Sequence, residues 1–307
     1  MNKRNTAKQQ HWVPQFYLRY FATPHSRNSA QPQVWIFSKN HDDGDEKLTN
    51  IRNVCGQRYL YSPRHVGGER NWNLENKLTR LETVLGQVWP MLATDFVDLA
   101  DESLRKILSL FIAITHLRNP EVRKGIEPLH QRLVQMFESL PTDTNGNPFV
   151  GSIEYKGREY ELDTSNWNEY RNLGKDDHDR FFADFIRSDA IYFANLLRSK
   201  RWSIIFSETD LFITSDHPVS LHHMTSEKFG FGTNGVTIIF PLSPSRLLVM
   251  DDSHHEPENQ YYPLLNGDVG PFNLNILQTA NRFIITGRSV EEVLHEICLF
   301  ADSFSNA

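Results

Sequence analysis

The spacing of apolar residues changes along the chain, and this change constrains the fold more than any other feature of the sequence. In the middle of the chain, apolar residues recur every three or four positions, as in an amphipathic helix, along the stripe Leu74, Leu78, Leu81, Leu85, Val88 and Leu92. In the last third they form short runs bounded by turn residues, at 202–206, 211–214, 236–240 and 246–250. Strands and helices do not alternate regularly, so the pattern predicts an α+β fold.

The beginning of the chain predicts strands and one short helix. Residues 33–38 are β-branched and aromatic, and we expect the weaker strand at 58–61 to pair with them. Before them, residues 11–13 should be extended, and a short helix should run from Pro14 to about residue 21, because proline suits the first turn of a helix.

The remaining elements follow from the same spacing. Pro90 should kink or end the first long helix. Further helices are expected near 102–118, 181–197, 272–280 and 289–299, with a strand at 282–286. The predicted fold thus has N-terminal strands, central helices and a C-terminal, mainly antiparallel sheet with a terminal helix. We expect one α+β domain over residues 1–307, with a loop-rich excursion at 141–175.

Composition limits the classes of partner. The formal net charge is −6 and the isoelectric point is near 6.1, which does not favour nucleic acid as a partner. Two separated cysteines, Cys55 and Cys298, predict no disulfide framework and fit a reducing compartment. The first ten residues do not resemble a signal peptide, and no apolar run reaches the ~18 residues of a membrane span. We therefore expect a soluble cytoplasmic protein without a membrane partner.

Three segments resemble a bacterial protein family of unknown function, DUF4238. They are the opening His-Trp-Val-Pro-Gln-Phe-Tyr-Leu-Arg-Tyr-Phe at 11–21, Thr-Ser-Asp-His-Pro-Val at 214–219, and Phe-Pro-Leu-Ser-Pro at 240–244. His217 departs from the pattern, because the family commonly has asparagine there. The resemblance extends over almost the whole chain and supports one fold, but it implies no reaction, since the family has no established activity.

The first two segments contain candidate site residues. Asp216 follows an apolar run, at a strand end where sites often lie, and it could be a general base or a metal ligand. It could equally cap backbone amides at a turn. His11 could be an acid, a base or an anion-binding group, or it could simply bind a backbone carbonyl.

Three charged residues complete the candidate set. Glu82 lies at the margin of the apolar helix stripe, where it could form an internal ion pair with Arg19 or Arg118. Arg118 precedes Asn119-Pro120 at a helix end, where it could bind an anion or cap the last carbonyls. The predicted binding residues are therefore His11, Arg19, Arg118 and Asp216, and the catalytic candidates are Asp216, Glu82 and His11.

The sequence lacks the signatures of known cofactor sites. The late histidines do not have zinc-ligand spacing, and no phosphate-binding or dinucleotide-binding glycine motif precedes a helix. We expect neither a metal nor a cofactor. The leading hypothesis is a ligand-binding or interaction module that takes a small ligand or a protein partner. The alternative is a hydrolase or nuclease-like effector that uses Asp216, Glu82 and His11.

Overall fold

The structure is a computed structural model, and it describes residues 8–40, 45–65, 67–149, 152–155, 158–161 and 163–305. Within these ranges, the strands are β1 Gln9–His11, β2 Gln33–Ser38, β3 Lys47–Asn50, β4 Gly56–Arg58, β5 Ser152–Tyr155, β6 Arg158–Glu161, β7 Arg201–Phe206, β8 Thr214–Ser215, β9 Ser220–His222, β10 Thr237–Ser243, β11 Arg246–Asp251, β12 Gln260–Pro263 and β13 Phe283–Thr286. The helices are α1 Gln15–Leu18, α2 Asn73–Thr94, α3 Glu102–Leu117, α4 Pro120–Glu138, α5 Trp167–Tyr170, α6 Lys175–Arg198, α7 Gly270–Thr279 and α8 Val290–Ser305. This order confirms the predicted α+β class.

Two main sheets form from strands that are distant in sequence. One has the order β3-β2-β13-β8, and the other has the order β12-β7-β11-β10-β9. All pairs in these sheets are antiparallel except β12 with β7. The C-terminal strands therefore do not form one successive sheet, because β8 and β13 join the N-terminal β2 instead.

The prediction for residues 58–61 was wrong. The strand here is β4, which ends at Arg58, and it pairs with β1 rather than with β2, placing Gly56 opposite His11. Strand β2 instead pairs with β3 and β13. A propensity pattern identifies a strand without identifying its partner, since pairing depends on residues far away in the chain.

Helix α2 continues through Pro90 to Thr94. Pro90 has no N–H to donate to the Gly86 carbonyl, which lies four residues earlier. Both residues are exposed, so water can bind that carbonyl instead. Trp89 is fully buried, and its indole N–H donates to the Leu242 carbonyl at 3.0 Å. This hydrogen bond holds the helix against β10 next to the proline.

The helices and sheets enclose a large aromatic core. Trp89 packs edge-on against Phe16, Tyr17 and Phe111, at ring-centroid distances of 5.4, 5.7 and 5.2 Å. Helix α4, which the sequence analysis does not predict, extends α3 beyond Asn119 and contains an exposed proline, Pro128. The excursion at 141–175 contains the β5–β6 hairpin and α5.

Candidate functional site

One face of α2 forms a wall of an open polar cleft of about 330 Å³. The residues of this face lie three or four positions apart, the spacing that places side chains on one side of a helix: Glu75, Leu78, Thr79, Glu82 and Thr83. The facing wall comes from the N-terminal segment, the turn after β4 and the end of α3: Gln9, His11, Gln15, Phe16, Tyr61 and Arg118. We call this site the α2 cleft.

His11 is held in the α2 cleft as a neutral imidazole. Its Nε2–H donates to the Arg52 carbonyl at 3.0 Å, and Gln15 donates to its Nδ1 at 3.4 Å. Burial lowers the pKa of His11, because desolvation disfavours the charged ring. The opposing Gly56 leaves room for this ring, since a Cβ there would lie 3.0 Å from the His11 Nε2.

Arg118 is the most deeply buried charge in the α2 cleft, at 1% exposure. Its Nε donates to the Trp12 carbonyl at 2.7 Å, and its Nη1 donates to Glu82 Oε1 at 2.7 Å. The Nη2 atom is buried and has no hydrogen-bond partner among the residues that the structure describes. Buried polar groups are normally satisfied, so an unpaired donor on a residue that lines a cleft indicates a place where a ligand could supply an acceptor.

Glu75 and Glu82 occupy the same face of α2, two helical turns apart. Arg118 neutralises Glu82 directly, whereas Glu75 makes no hydrogen bond through its carboxyl group to any part of the chain described. Burial, reinforced by the charge of Glu82, raises the pKa of Glu75 to about 7, although Arg118 acts in the opposite direction. One carboxyl group is therefore paired with a guanidinium, while the other, Glu75, has a pKa near neutral pH.

Other groups of the α2 cleft are already satisfied. The Tyr61 hydroxyl donates to the Arg118 carbonyl at 3.2 Å, and burial raises the pKa of Tyr61 well above its ordinary value. The hydroxyls of Thr79 and Thr83 donate to the carbonyls one turn earlier, at 2.9 and 2.7 Å. Within the described ranges, the charged side chains of the cleft with open groups are Glu75, through its carboxyl group, Glu82, through its second oxygen, and Arg118, through Nη2.

Arg19 does not line the α2 cleft. Its side chain is exposed and donates from Nη1 to the carbonyls of Arg27 and Ser29, at 3.0 and 3.1 Å. The chain passes from α1 into a 3₁₀ turn at Arg19–Phe21, which points Arg19 toward the loop that follows. The structure therefore brings His11, Glu82 and Arg118 together and leaves Arg19 apart from them.

Asp216 lies outside the α2 cleft, at the end of β8, where it is 1% exposed. Its Oδ1 accepts from the Asn281 N–H at 3.0 Å, and the Arg282 N–H donates to both carboxylate oxygens, at 3.3 and 3.2 Å. Burial raises the pKa of Asp216, and these backbone donors oppose that shift. We call this arrangement of Asp216, Asn281 and Arg282 the Asp216 turn.

The two sequence motifs do meet, but through packing contacts rather than in a cleft. The Trp12 indole N–H donates to the Asp216 backbone carbonyl at 2.9 Å. The hydroxyls of Tyr17 and Thr214 are 2.7 Å apart and hydrogen-bonded. These buried bonds join residues 12–17 to residues 214–216, so much of each motif serves the fold.

A pair of histidines lies beside the Asp216 turn. His217 Nε2 is 3.0 Å from His116 Nδ1, and its own Nδ1 is 3.3 Å from the Thr279 carbonyl. Because the carbonyl can only accept, His217 Nδ1 carries the hydrogen and donates to it. The Nε2 of a neutral His217 is then an acceptor, so His116 Nδ1–H donates to it. Burial, together with the charge that His217 would carry, lowers the pKa of His116 to about 3. His217 stands out in the sequence, but its partner His116 does not, because it lies 101 residues away.

The described part of the chain offers no group of three or more His, Cys, Asp or Glu residues that could hold a metal ion. The other late histidines have separate roles: His223 approaches the Asn234 carbonyl at 3.1 Å, and His254 approaches Glu258 at 3.0 Å. Over the same ranges, no helix is both long and apolar enough to cross a membrane.

Glu75 is a cleft residue that does not stand out in the sequence. The signal was nevertheless present, since Glu75, Thr79, Glu82 and Thr83 form a narrow polar stripe beside an apolar one. Only the packing of α1 and of the turn after β4 against this stripe makes it the wall of a cleft.

Comparisons with known proteins support one family. A family model described as "Protein of unknown function (DUF4238)" matches residues 9–289, which include both motifs and the whole α2 cleft. This match confirms the resemblance seen in the sequence. Neither the curated proteins nor the solved structures include a match to the chain.

Proposed function

Because the chain belongs to the DUF4238 family, which has no assigned activity, we propose its function from the geometry alone: it is a small-ligand-binding protein whose site is the α2 cleft. The observation that carries the proposal is the buried, unpaired Nη2 of Arg118, a residue that lines the cleft. A ligand oxygen placed there would satisfy it, as small polar groups do in binding pockets.

The charges around the cleft favour a small molecule over nucleic acid. The cleft holds two glutamates and one arginine, so it does not attract phosphate. The one compact basic run in the sequence is engaged elsewhere in ion pairs: Arg198 with Glu102, Lys200 with Asp252 and Arg201 with Asp251.

A ligand screen with a blocked variant tests this function. Thr79→Leu enlarges an exposed cleft-lining side chain and removes one hydroxyl bond to the carbonyl four residues earlier. Thr94→Leu is the matched control, because Thr94 makes the same type of bond to the Pro90 carbonyl on the same helix, outside the cleft. Ligand-observed NMR with a panel of small polar compounds should find binders whose affinity falls at least tenfold in Thr79→Leu alone. Absence of binders, or equal binding to all three proteins, would contradict the proposal.

A hydrolase is the second candidate, favoured by the pKa of Glu75. A carboxyl group that titrates near 7 beside an ionised one is the arrangement of a general acid with a charged partner. Glu75 would donate the proton, Glu82 would stabilise positive charge, and neutral His11 could accept a proton. Asp216 has no role in this mechanism, because backbone N–H groups of Asn281 and Arg282 already donate to its carboxylate. Turnover of a screen hit with a pH–rate profile that breaks near 7, lost in Glu75→Gln, would support this candidate.

The setting of the protein is also part of the proposal. We place it in the bacterial cytoplasm as a single α+β domain over residues 1–307, because it resembles a bacterial family and its two cysteines are both free thiols. Limited proteolysis tests the domain organisation. One protected fragment spanning the family match is expected, and two separately stable fragments would contradict a single domain.

A further inference from the structure

In the described part of the α2 cleft, a donor of Arg118, the carboxyl group of Glu75 and the second oxygen of Glu82 are open. Arg118 satisfies Glu82 through Nη1, while its Nη2 lacks a partner among the described residues. Glu75 faces the same space, and its carboxyl group has no hydrogen bond within the described ranges. A ligand that fits the cleft must therefore supply an acceptor to Arg118 and a donor to Glu75.

The charge balance of the cleft decides which donor is favoured. With Glu75 ionised, two carboxylates face one guanidinium and the net charge is −1. A ligand with one positive charge brings the site to neutrality, whereas a neutral or zwitterionic ligand leaves its net charge at −1, which is costly away from water. A primary ammonium group supplies both the charge and up to three donors.

The acceptor for Arg118 should be uncharged. Glu82 already serves as the counterion of Arg118, at 2.7 Å. A ligand carboxylate on Nη2 would lie near the Glu82 carboxylate, and the two like charges would repel. A carbonyl or hydroxyl oxygen satisfies Nη2 without that repulsion.

The size and the walls of the cleft describe the rest of the ligand. Its volume of about 330 Å³ suits a molecule of amino-acid size, and Phe16 and Leu78 provide apolar wall surface. We propose that the ligand is a small amine cation that carries a neutral carbonyl close to its ammonium group, as in an amino-acid amide or the N-terminal residue of a peptide. This inference rests on the proposed function, since it names the ligand class of the same cleft.

The pH dependence provides an independent signature of this class. Glu75, whose pKa is raised to about 7, must lose its proton to pair with an ammonium group. The α-amino group of such a ligand loses its charge near pH 8. Affinity should therefore be highest between about pH 7 and 8, and it should fall about tenfold for each pH unit below this range.

Four matched probes test the inference by NMR titration at pH 7.5. Leucinamide has the ammonium and the carbonyl, leucine replaces the amide by a carboxylate, 3-methylbutylamine lacks the acceptor, and N-acetyl-leucinamide lacks the charge. We expect leucinamide to bind at least tenfold more tightly than the other three. Glu75→Gln should remove this preference and the acid limb of the pH profile, while Glu138→Gln, an exposed glutamate on α4, should leave both unchanged.

Each other result contradicts the inference in a distinguishable way. If leucine binds as tightly as leucinamide or more tightly, the cleft is a site for zwitterions. If 3-methylbutylamine binds as tightly as leucinamide, Arg118 does not contribute to ligand recognition. Binding of none of the four probes, when the wider panel yields binders that Thr79→Leu abolishes, would refute the amine class and leave the proposed function intact. Failure of both the four probes and the wider panel would refute the two together.

Discussion

Trp12 separates two regions that hold buried charge in different ways. Its carbonyl accepts from Arg118 in the α2 cleft, and its indole donates to the backbone of Asp216. At the Asp216 turn, backbone N–H groups occupy both carboxylate oxygens. In the cleft, an arginine nitrogen and a carboxyl group remain open. Burial alone therefore does not identify a functional charge. A buried charged group with an open hydrogen-bonding position does, because protein interiors otherwise satisfy their polar groups.

Asp216→Ala should produce the largest loss of stability and so separate the two regions most clearly. The substitution leaves the backbone N–H groups of Asn281 and Arg282 without their acceptor, and an unsatisfied buried group costs about 1–3 kcal/mol. We expect the free energy of unfolding, measured by urea denaturation, to fall by about 2–3 kcal/mol.

Asp163→Ala is the matched control for this prediction. Its carboxylate also accepts from a backbone N–H, that of Ser165 at 2.9 Å, but at the protein surface. We expect a loss below about 1 kcal/mol there, since water can replace the carboxylate. Losses of equal size in the two variants would contradict a structural role for Asp216.

The histidine pair beside the Asp216 turn should make the fold sensitive to acid. The folded-state pKa of His116 is about 3, against 6.5 in the unfolded chain, so the unfolded state binds more protons between these values. Stability should fall as the pH is lowered through this window, by at most about 1.4 kcal/mol per pH unit from this group. His116→Gln should flatten the dependence of unfolding free energy on pH, whereas His255→Gln, at an exposed position, should not. If the unfolding free energy of His116→Gln depends on pH as steeply as that of the wild type, the histidine pair does not take up protons when the protein unfolds.

Glu75→Gln should have the smallest effect on stability. The folded-state pKa of Glu75 is raised to about 7 from 4.5, so its contribution runs opposite to that of His116: stability is lost as the pH rises through this window. At pH 8, the variant should therefore be as stable as the wild type, or more stable by up to about 1 kcal/mol, because glutamine has no charge to desolvate. Denaturation at pH 8 measures this. A loss above about 2 kcal/mol would place Glu75 among the structural charges, beside Asp216.

The sequence predicted the fold class well because long elements have a strong period. The stripe from Leu74 to Leu92 specified α2, and the apolar run at 246–250 specified β11. Pairing was harder to predict, as β4 shows, since its partner is chosen by tertiary contacts rather than by its own residues. Helix α2 also continues past Pro90 to Thr94, where the proline is exposed and Trp89 is hydrogen-bonded to the sheet.

The candidate site was only partly predictable, for a different reason. His11, Glu82 and Arg118 were recognisable as polar groups attached to apolar elements, and they do line one cleft. Asp216 was conspicuous because it follows a strand, yet a turn carboxylate and a catalytic one have the same local sequence. Glu75 was inconspicuous because a glutamate on an amphipathic helix normally faces water. Its altered chemistry comes from segments that are distant in sequence and cover it.

A crystal structure of the protein soaked with the binders from the polar panel would show whether Arg118 Nη2 is a donor reserved for a ligand in the α2 cleft. We predict electron density for a bound compound in the cleft, with an acceptor oxygen about 2.7–3.2 Å from Nη2. The claim would be contradicted if Nη2 donates to Glu75 or another protein group while the soaked compounds bind elsewhere.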